Sequence, residues 1–357
     1  MRKRGRLPMT MRDIVIAQIQ HQETDFVPYQ LTLYPEPCAI LTQHYGSEDW
    51  NKNILSPFSD APCFFDSWQV MRQIDPEDPR KTTDPFGCLW TMGEEVSHLD
   101  RCAIWNVDPR NYVWPTLSDF FWPERQQMLK TWDETHSRDH FSIVSIGAGY
   151  WEHMWRLLGA EDALLMCIDD PDTFDFLVDG LDKLINQFAD AAVQTSADAI
   201  YIADDWCDQR GCMIGPDRWR KFLKPRLARL YQKAHDHGKY VINHVCGNVE
   251  PLMPDLIEIG LDVLESVQPE AMDPYDLKRR YGKQIAFYGG VGCQYLLPFA
   301  SPDEVRAEIR NLRREMSKGG VYILSSAKPL NKAVPPANVV AAYEAFTEEN
   351  EKFLRQL

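Results

Sequence analysis

What the chain lacks narrows its class before any motif is read. Its nine cysteines include no Cys-x-x-Cys, so a structural zinc knuckle is not indicated. They are scattered (38, 63, 88, 102, 167, 207, 212, 246, 293) without a close-spaced framework. An odd number in a chain of 357 residues fits a reducing cytoplasm better than a disulfide scaffold, and a cytoplasmic location is expected. No apolar run reaches the roughly 18 residues that a membrane span needs, so no membrane partner is expected. The basic start, Met1-Arg-Lys-Arg-Gly-Arg-Leu-Pro8, has no apolar stretch after it, which argues against a secretory signal. Positive charge is in short supply: 38 Lys and Arg face 53 Asp and Glu, a net −15, which argues against nucleic acid as the main partner. Gly289-Gly290 lacks the G-x-G-x-x-G pattern, so it is not a nucleotide loop.

What is present suits an enzyme-sized globular protein: 44% hydrophobic and 25% charged residues. Eleven tryptophans and twenty-four prolines, many in the first third, suggest an elaborate N-terminal region. Residues 9–22 read as an amphipathic helix capped by Thr10, 26–33 as a strand, and 35–50 as a helix. From 56 to 115 short strands alternate with Pro and Gly, a β-rich insertion over 71–115 rather than βα units. After 140 the rhythm is regular. Strands are predicted at 141–147, 199–203, 240–244, 263–267, 285–288 and 321–324, with helices between them at 151–166, 172–196, 216–237, 249–259, 273–281, 302–317 and 336–356. Such alternation means parallel strands with crossover helices. With 26–33 and 64–70 the strands number eight, so the expected fold is α/β, a (β/α)8 TIM barrel forming a single domain over 1–357.

Within this scheme the stretch Val241-Ile-Asn-His-Val-Cys-Gly-Asn248 stands out. Strand side chains alternate, so His244 and Cys246 share a face and can close on one soft cation such as zinc. The same spacing also fits a buried thiol beside a carbonyl-bonded histidine. Other predicted strand ends carry Asp204-Asp-Trp-Cys207, Gln268 and Glu270, Gly289 to Cys293, and Ser325-Ser-Ala-Lys328. Barrel enzymes draw catalytic groups from that rim, and a barrel kept for stability alone has no need of them. Asp204 is read as a substrate-orienting group or a partner of His244, or else as a helix cap. Trp68, Trp90, Tyr150, Trp151 and Trp206 either wall a pocket or fill the core. His235 and His237, at a helix end before Gly238, are read as structural, and Glu152-His153 as helix surface.

Several of these motifs, in this order, resemble the uroporphyrinogen decarboxylase superfamily: Asp204-Asp-Trp206, His235-Asp-His-Gly-Lys239, His244-Val-Cys-Gly-Asn248, Leu256 to Asp262, Gln268-Pro-Glu-Ala-Met-Asp273, Gly289-Gly-Val291 and Val334-Pro-Pro-Ala-Asn-Val339. The resemblance covers about 140–350 and implies a distorted (β/α)8 barrel. True decarboxylases of this superfamily grip carboxylates with an N-terminal Arg-Gln-Ala-Gly-Arg segment, where this chain has Tyr29-Gln-Leu-Thr-Leu-Tyr-Pro-Glu36. They also carry a histidine where this chain has Lys328. Porphyrin decarboxylation is therefore not expected.

The other branch comprises zinc-dependent methyltransferases that work with corrinoid proteins. Their His-x-Cys ligands match His244 and Cys246, while the distal cysteine is missing between Ser325 and Lys328. Cys293 or Glu270 is expected to complete the site. The resemblance thus implies methyl transfer between a corrinoid (methylcobalamin) centre on a partner protein and a small thiol or methylated substrate, assisted by zinc. Tyr150, Trp206 and Gln268 are candidate substrate contacts. Without zinc, Asp204, His244 and Lys328 form a polar site for acid–base chemistry, such as decarboxylation of a smaller acid.

Overall fold

A computed structural model describes residues 9–62, 70–93 and 97–355. Eight parallel strands form one curled sheet: β1 (Tyr29–Gln30), β2 (Phe58–Asp60), β7 (Phe141–Ala148), β8 (Ala199–Ala203), β11 (Tyr240–His244), β12 (Val263–Val267), β13 (Ala286–Val291) and β14 (Tyr322–Ser326). Their order is β1-β14-β13-β12-β11-β8-β7-β2. The first two strands thus end up at opposite edges, and among the described residues no ladder joins them. That open seam is the distortion of an otherwise (β/α)8 arrangement. The remaining strands are β3 (Arg72–Gln73), β4 (Lys81–Thr83), β5 (Leu89–Thr91) and β6 (His98–Arg101), a separate antiparallel sheet, and β9 (Cys207–Asp208) with β10 (Gly211–Cys212), a small hairpin.

The six strands expected from 141 onward all lie in the barrel sheet. The second strand is a correction: Phe58–Asp60, not 64–70, pairs with β7, and the expected stretch 64–69 lies outside the described residues. Phe58 is the residue that alternation alone could not rank, because only three residues pair.

Strands buried on both faces need no polar alternation. All six residues of β13 and all five of β14 are buried. One apolar cluster fills the barrel interior, with Phe58, Phe141, Ile143, Ile242 and Tyr288 among its members, and a larger one lies between sheet and helices. The helix Pro171–Val193 packs there through Phe174, Leu177, Val178, Leu181, Leu184, Ile185 and Phe188, spaced three and four apart. Asp170 accepts from the Thr173 N–H and starts this helix. The helix expected over 151–166 is two, Tyr150–Leu158 and Ala160–Asp169, because Gly159 at φ 92° leaves the helical region.

Candidate active site

The C-terminal ends of β8, β11 and β12 bring four side chains together. β11 stops at His244, yet Cys246 two residues on still meets it: Sγ lies 3.3 Å from His244 Nε2. The turn between them is held from several sides. Val245 N–H donates to the Glu265 carbonyl at 2.6 Å, Cys246 N–H to Asp205 Oδ1 at 2.8 Å, and Gly247 N–H to Gln268 Oε1 at 2.8 Å. Gly247 has φ 82°, and a Cβ there would lie 2.5 Å from the Asp208 carbonyl oxygen, so only glycine fits.

Asp205 Oδ1 sits 3.5 Å from His244 Nε2. Asp205, His244 and Cys246 offer one donor atom each, all within 4.8 Å of one another, the group of this kind among the described residues. The other ring nitrogen, His244 Nδ1, is 2.6 Å from Glu265 Oε2, which also accepts the Tyr201 hydroxyl at 2.7 Å. Burial disfavours the imidazolium, but Glu265 and Cys246 outweigh it and hold the His244 pKa well above the ordinary histidine value. Burial likewise opposes the Glu265 carboxylate, and the His244 charge overrides it, lowering the pKa. Lys328 Nζ lies 3.3 Å from His244 Nε2. Its own burial opposes the charge, while Cys246, Asp205 and Glu265 raise its pKa.

These distances suit zinc. Zn–N near 2.05 Å and Zn–S near 2.3 Å at a tetrahedral angle separate the two ligand atoms by about 3.6 Å, and N and O ligands by about 3.4 Å. The spacings of 3.3 Å for His244–Cys246 and 3.5 Å for His244–Asp205 match. An imidazole, a thiol and a carboxylate are all zinc donors, and three of them leave one position open.

Several sequence expectations are corrected here. Asp204 is fully buried and turned away from His244. Its carboxylate accepts the Trp151 N–H at 3.1 Å, the Glu152 N–H at 2.8 Å and the Trp206 Nε1–H at 2.6 Å, capping the helix Tyr150–Leu158. Burial pushes its pKa up to about 7. Of the readings of Asp204 the helix cap is the one the structure shows, and because β8 ends at Ala203 it is Asp205, beyond the turn, that meets His244. Cys293 and Glu270 do not complete the donor group. Glu270 Oε1 instead accepts the Gln294 and Tyr295 N–H groups at 2.8 and 3.1 Å, and burial with the Glu270 charge pushes the Cys293 thiol up to about 11.

Tyr150 and Trp206 are core rather than substrate contacts. The Tyr150 hydroxyl donates to Asp182 at 2.7 Å and Trp206 packs on Trp219 at 5.3 Å. Trp90 and Trp151 are buried too, while Trp68 lies outside the described residues. Gln268 is committed to the Gly247 turn. His153, expected at a helix surface, is buried with Nδ1 2.7 Å from the Gly149 carbonyl oxygen. His235 pairs with Asp262 at 2.8 Å, as a structural residue.

Sequence reasoning missed Asp205, Glu265 and Tyr201. The doubled Asp204-Asp205 was a visible signal for the first. Glu265 lay inside an apolar run, Val263-Leu-Glu-Ser-Val267, where a lone carboxylate in a buried strand is itself a signal.

A curled eight-stranded parallel sheet with polar groups gathered at its C-terminal ends defines a (β/α)8-barrel protein with its candidate site on the usual rim. Residues 134–349 match the family model described as uroporphyrinogen decarboxylase (URO-D), and the chain belongs to that family. It is similar to the methylcobamide:CoM methyltransferase MtaA of Methanosarcina barkeri, 24% identical over 192 residues that cover 54% of each chain. It is also similar to the uroporphyrinogen decarboxylase of Hydrogenovibrio crunogenus, 22% identical over 191 residues covering 53% of this chain and 52% of that one. The chain thus spans about half the length of the curated relatives it matches. Among solved structures it is similar to a methyltransferase from Methanosarcina mazei, with a TM-score of 0.68 and 20% identity over 95% of this chain and 99% of that one. At that identity the likeness carries the fold. No helix among the described residues is long and apolar enough to cross a membrane.

Proposed function

We propose that this chain is a methyltransferase that moves a methyl group between a corrinoid centre, methylcobalamin or a corrinoid carried by a partner protein, and a small thiol or methylated substrate. The reading takes 1–357 as one barrel domain with 71–115 as its insertion. Asp205, His244 and Cys246 would hold a zinc ion, and the observation that carries the reading is their closure to within 4.8 Å on the barrel rim. Asp205 then supplies the third donor that the missing distal cysteine would otherwise give. When bound, zinc supplies Lewis acidity, lowering the pKa of a thiol or polarising a heteroatom of the substrate.

The chain's own groups do the rest. Glu265 fixes the orientation of His244 through Nδ1 and leaves Nε2 facing Cys246 and Asp205. Gln268 and Asp205 pin the turn that carries Cys246. Lys328 is an exposed residue, and its flexible side chain can withdraw when a metal takes its place beside Nε2. Elemental analysis of protein purified without chelator, with an anaerobic assay of methyl transfer from methylcobalamin, tests the reading. About one zinc per chain and loss of both metal and transfer in Cys246→Ala are expected. Metal-free protein whose Cys246→Ala variant keeps full activity overturns it.

One observation favours a second reading. Lys328 Nζ beside His244 already puts a positive charge at the site without metal, as a carboxy-lyase acting on a smaller acid would use it. Uroporphyrinogen itself is not the expected substrate, because the segment Tyr29 to Glu36 offers no arginine. Carbon dioxide release from a small carboxylic acid, abolished in Lys328→Met, is the result that would favour this reading.

A further inference from the structure

On the Glu265 side of His244, a cavity of about 220 Å3 opens inside the ring of strands. Among the described residues lining it there is no lysine or arginine, so this lining favours a cation over an acid. Two are carboxylates. Glu265 is already engaged by His244 and Tyr201. Asp60, at the end of β2, is exposed to solvent at the cavity and has no hydrogen-bond partner among the described residues; partial desolvation raises its pKa.

Tyr288 adds an independent observation. The residue is only 5% exposed, yet its hydroxyl has no hydrogen-bond partner among the described residues. Burial, then the charges of Glu265 and Asp60, raise its pKa. The hydroxyl is not among the sealed, unmatched polar atoms of the described residues, so it opens on the cavity, where a ligand can hydrogen-bond to it. The walls are aromatic as well: the Phe58 and Tyr288 rings lie 5.6 Å apart and 33° from parallel, and Tyr201 contributes a third ring.

A bare divalent cation fits poorly, because calcium takes six to eight oxygens and the described lining offers two carboxylates, one of them held through Oε2 by His244 and Tyr201. A carboxylate facing aromatic rings is the chemistry that recognises organic ammonium ions. We infer that this cavity binds a small organic ammonium ion, held on the Glu265 side of His244 and apart from the donor group at Nε2. This binding does not rest on the proposed function.

Isothermal titration of the full chain with tetramethylammonium, methylammonium, tert-butanol and acetate tests it. Tetramethylammonium is expected to bind about tenfold tighter than its neutral counterpart tert-butanol, with acetate not binding. Asp60→Asn is expected to weaken both ammonium ions by about tenfold with its thermal midpoint retained. Tyr288→Phe is expected to weaken methylammonium, which has N–H groups, and leave tetramethylammonium unchanged. Acetate or tert-butanol binding as tightly as the cations in the wild-type chain overturns the inference, as does folded Asp60→Asn with unchanged affinity. Ammonium binding by protein that holds no metal and transfers no methyl group sinks the proposed function alone. Metal and methyl transfer without ammonium binding sinks this inference alone.

Discussion

Glu265 Oε2 lies 2.6 Å from His244 Nδ1, and this pair sets which ring nitrogen is left for chemistry. With Nδ1 engaged, Nε2 is the atom that faces Cys246 and Asp205. Carboxylate partners of ligating histidines fix the ring and make it more basic, and their loss typically costs 10- to 100-fold in metal affinity. Glu265→Gln is therefore expected to weaken zinc binding by about that factor, measured by chelator competition. Tyr201→Phe, which removes only the 2.7 Å bond to Glu265, is expected to do less. Equal affinities in wild type and Glu265→Gln would detach the pair from the metal.

The ligand set makes a second expectation. Asp205→Ala leaves two donors and is expected to empty the site, while Cys293→Ala and Glu270→Gln retain the metal. Metal content per chain reads this directly. Retention in Asp205→Ala, with loss in Cys293→Ala, would return the site to the ligands the sequence first suggested.

Lys328 competes with a cation for the same neighbours, being 3.3 Å from His244 Nε2 and held by Cys246, Asp205 and Glu265. Lys328→Met keeps the stem and removes the charge. Zinc affinity is expected to rise by about tenfold, since one like charge a few ångströms from the ion costs on the order of 1.4 kcal/mol or more at protein surfaces. Unchanged or weaker affinity in calorimetry would mean that the ammonium lies elsewhere once the metal binds.

The barrel was legible because its strands are near-continuous apolar runs separated by helices of the right length, as β11 and β12 illustrate. Sites at strand ends were legible only while the strand lasted. His244 is the last residue of β11, and Cys246 two residues on still meets it; past Ala203 the chain has turned, and Asp205 rather than Asp204 lies near His244. The short β2 escaped because three residues carry no period, and Asp60 escaped with it. Tyr150 and Trp206 looked like pocket walls from composition, but burial is a property of packing that single aromatic residues do not announce.

The last expectation concerns His153 and does not depend on the metal. Its ring is buried, with Nδ1 2.7 Å from the Gly149 carbonyl oxygen. Burial, then the nearby Arg156 charge, lowers its pKa from 6.5 to about 3. Below pH 6.5 the unfolded chain therefore takes up a proton that the folded chain refuses until about pH 3, and stability falls as pH falls through that window. Each pH unit there removes about 1.4 kcal/mol through this one residue. Asp204, whose carboxyl is raised to about 7, titrates over an overlapping range with the opposite sign, so the wild-type curve alone does not isolate the histidine. Comparison with His153→Asn does, because the amide keeps a donor for Gly149 and carries no titrating group. Between pH 6.5 and 4.5 the wild type is expected to lose about 2.3 kcal/mol more than the variant in urea unfolding. Parallel curves over that interval would mean that the folded chain accommodates the imidazolium.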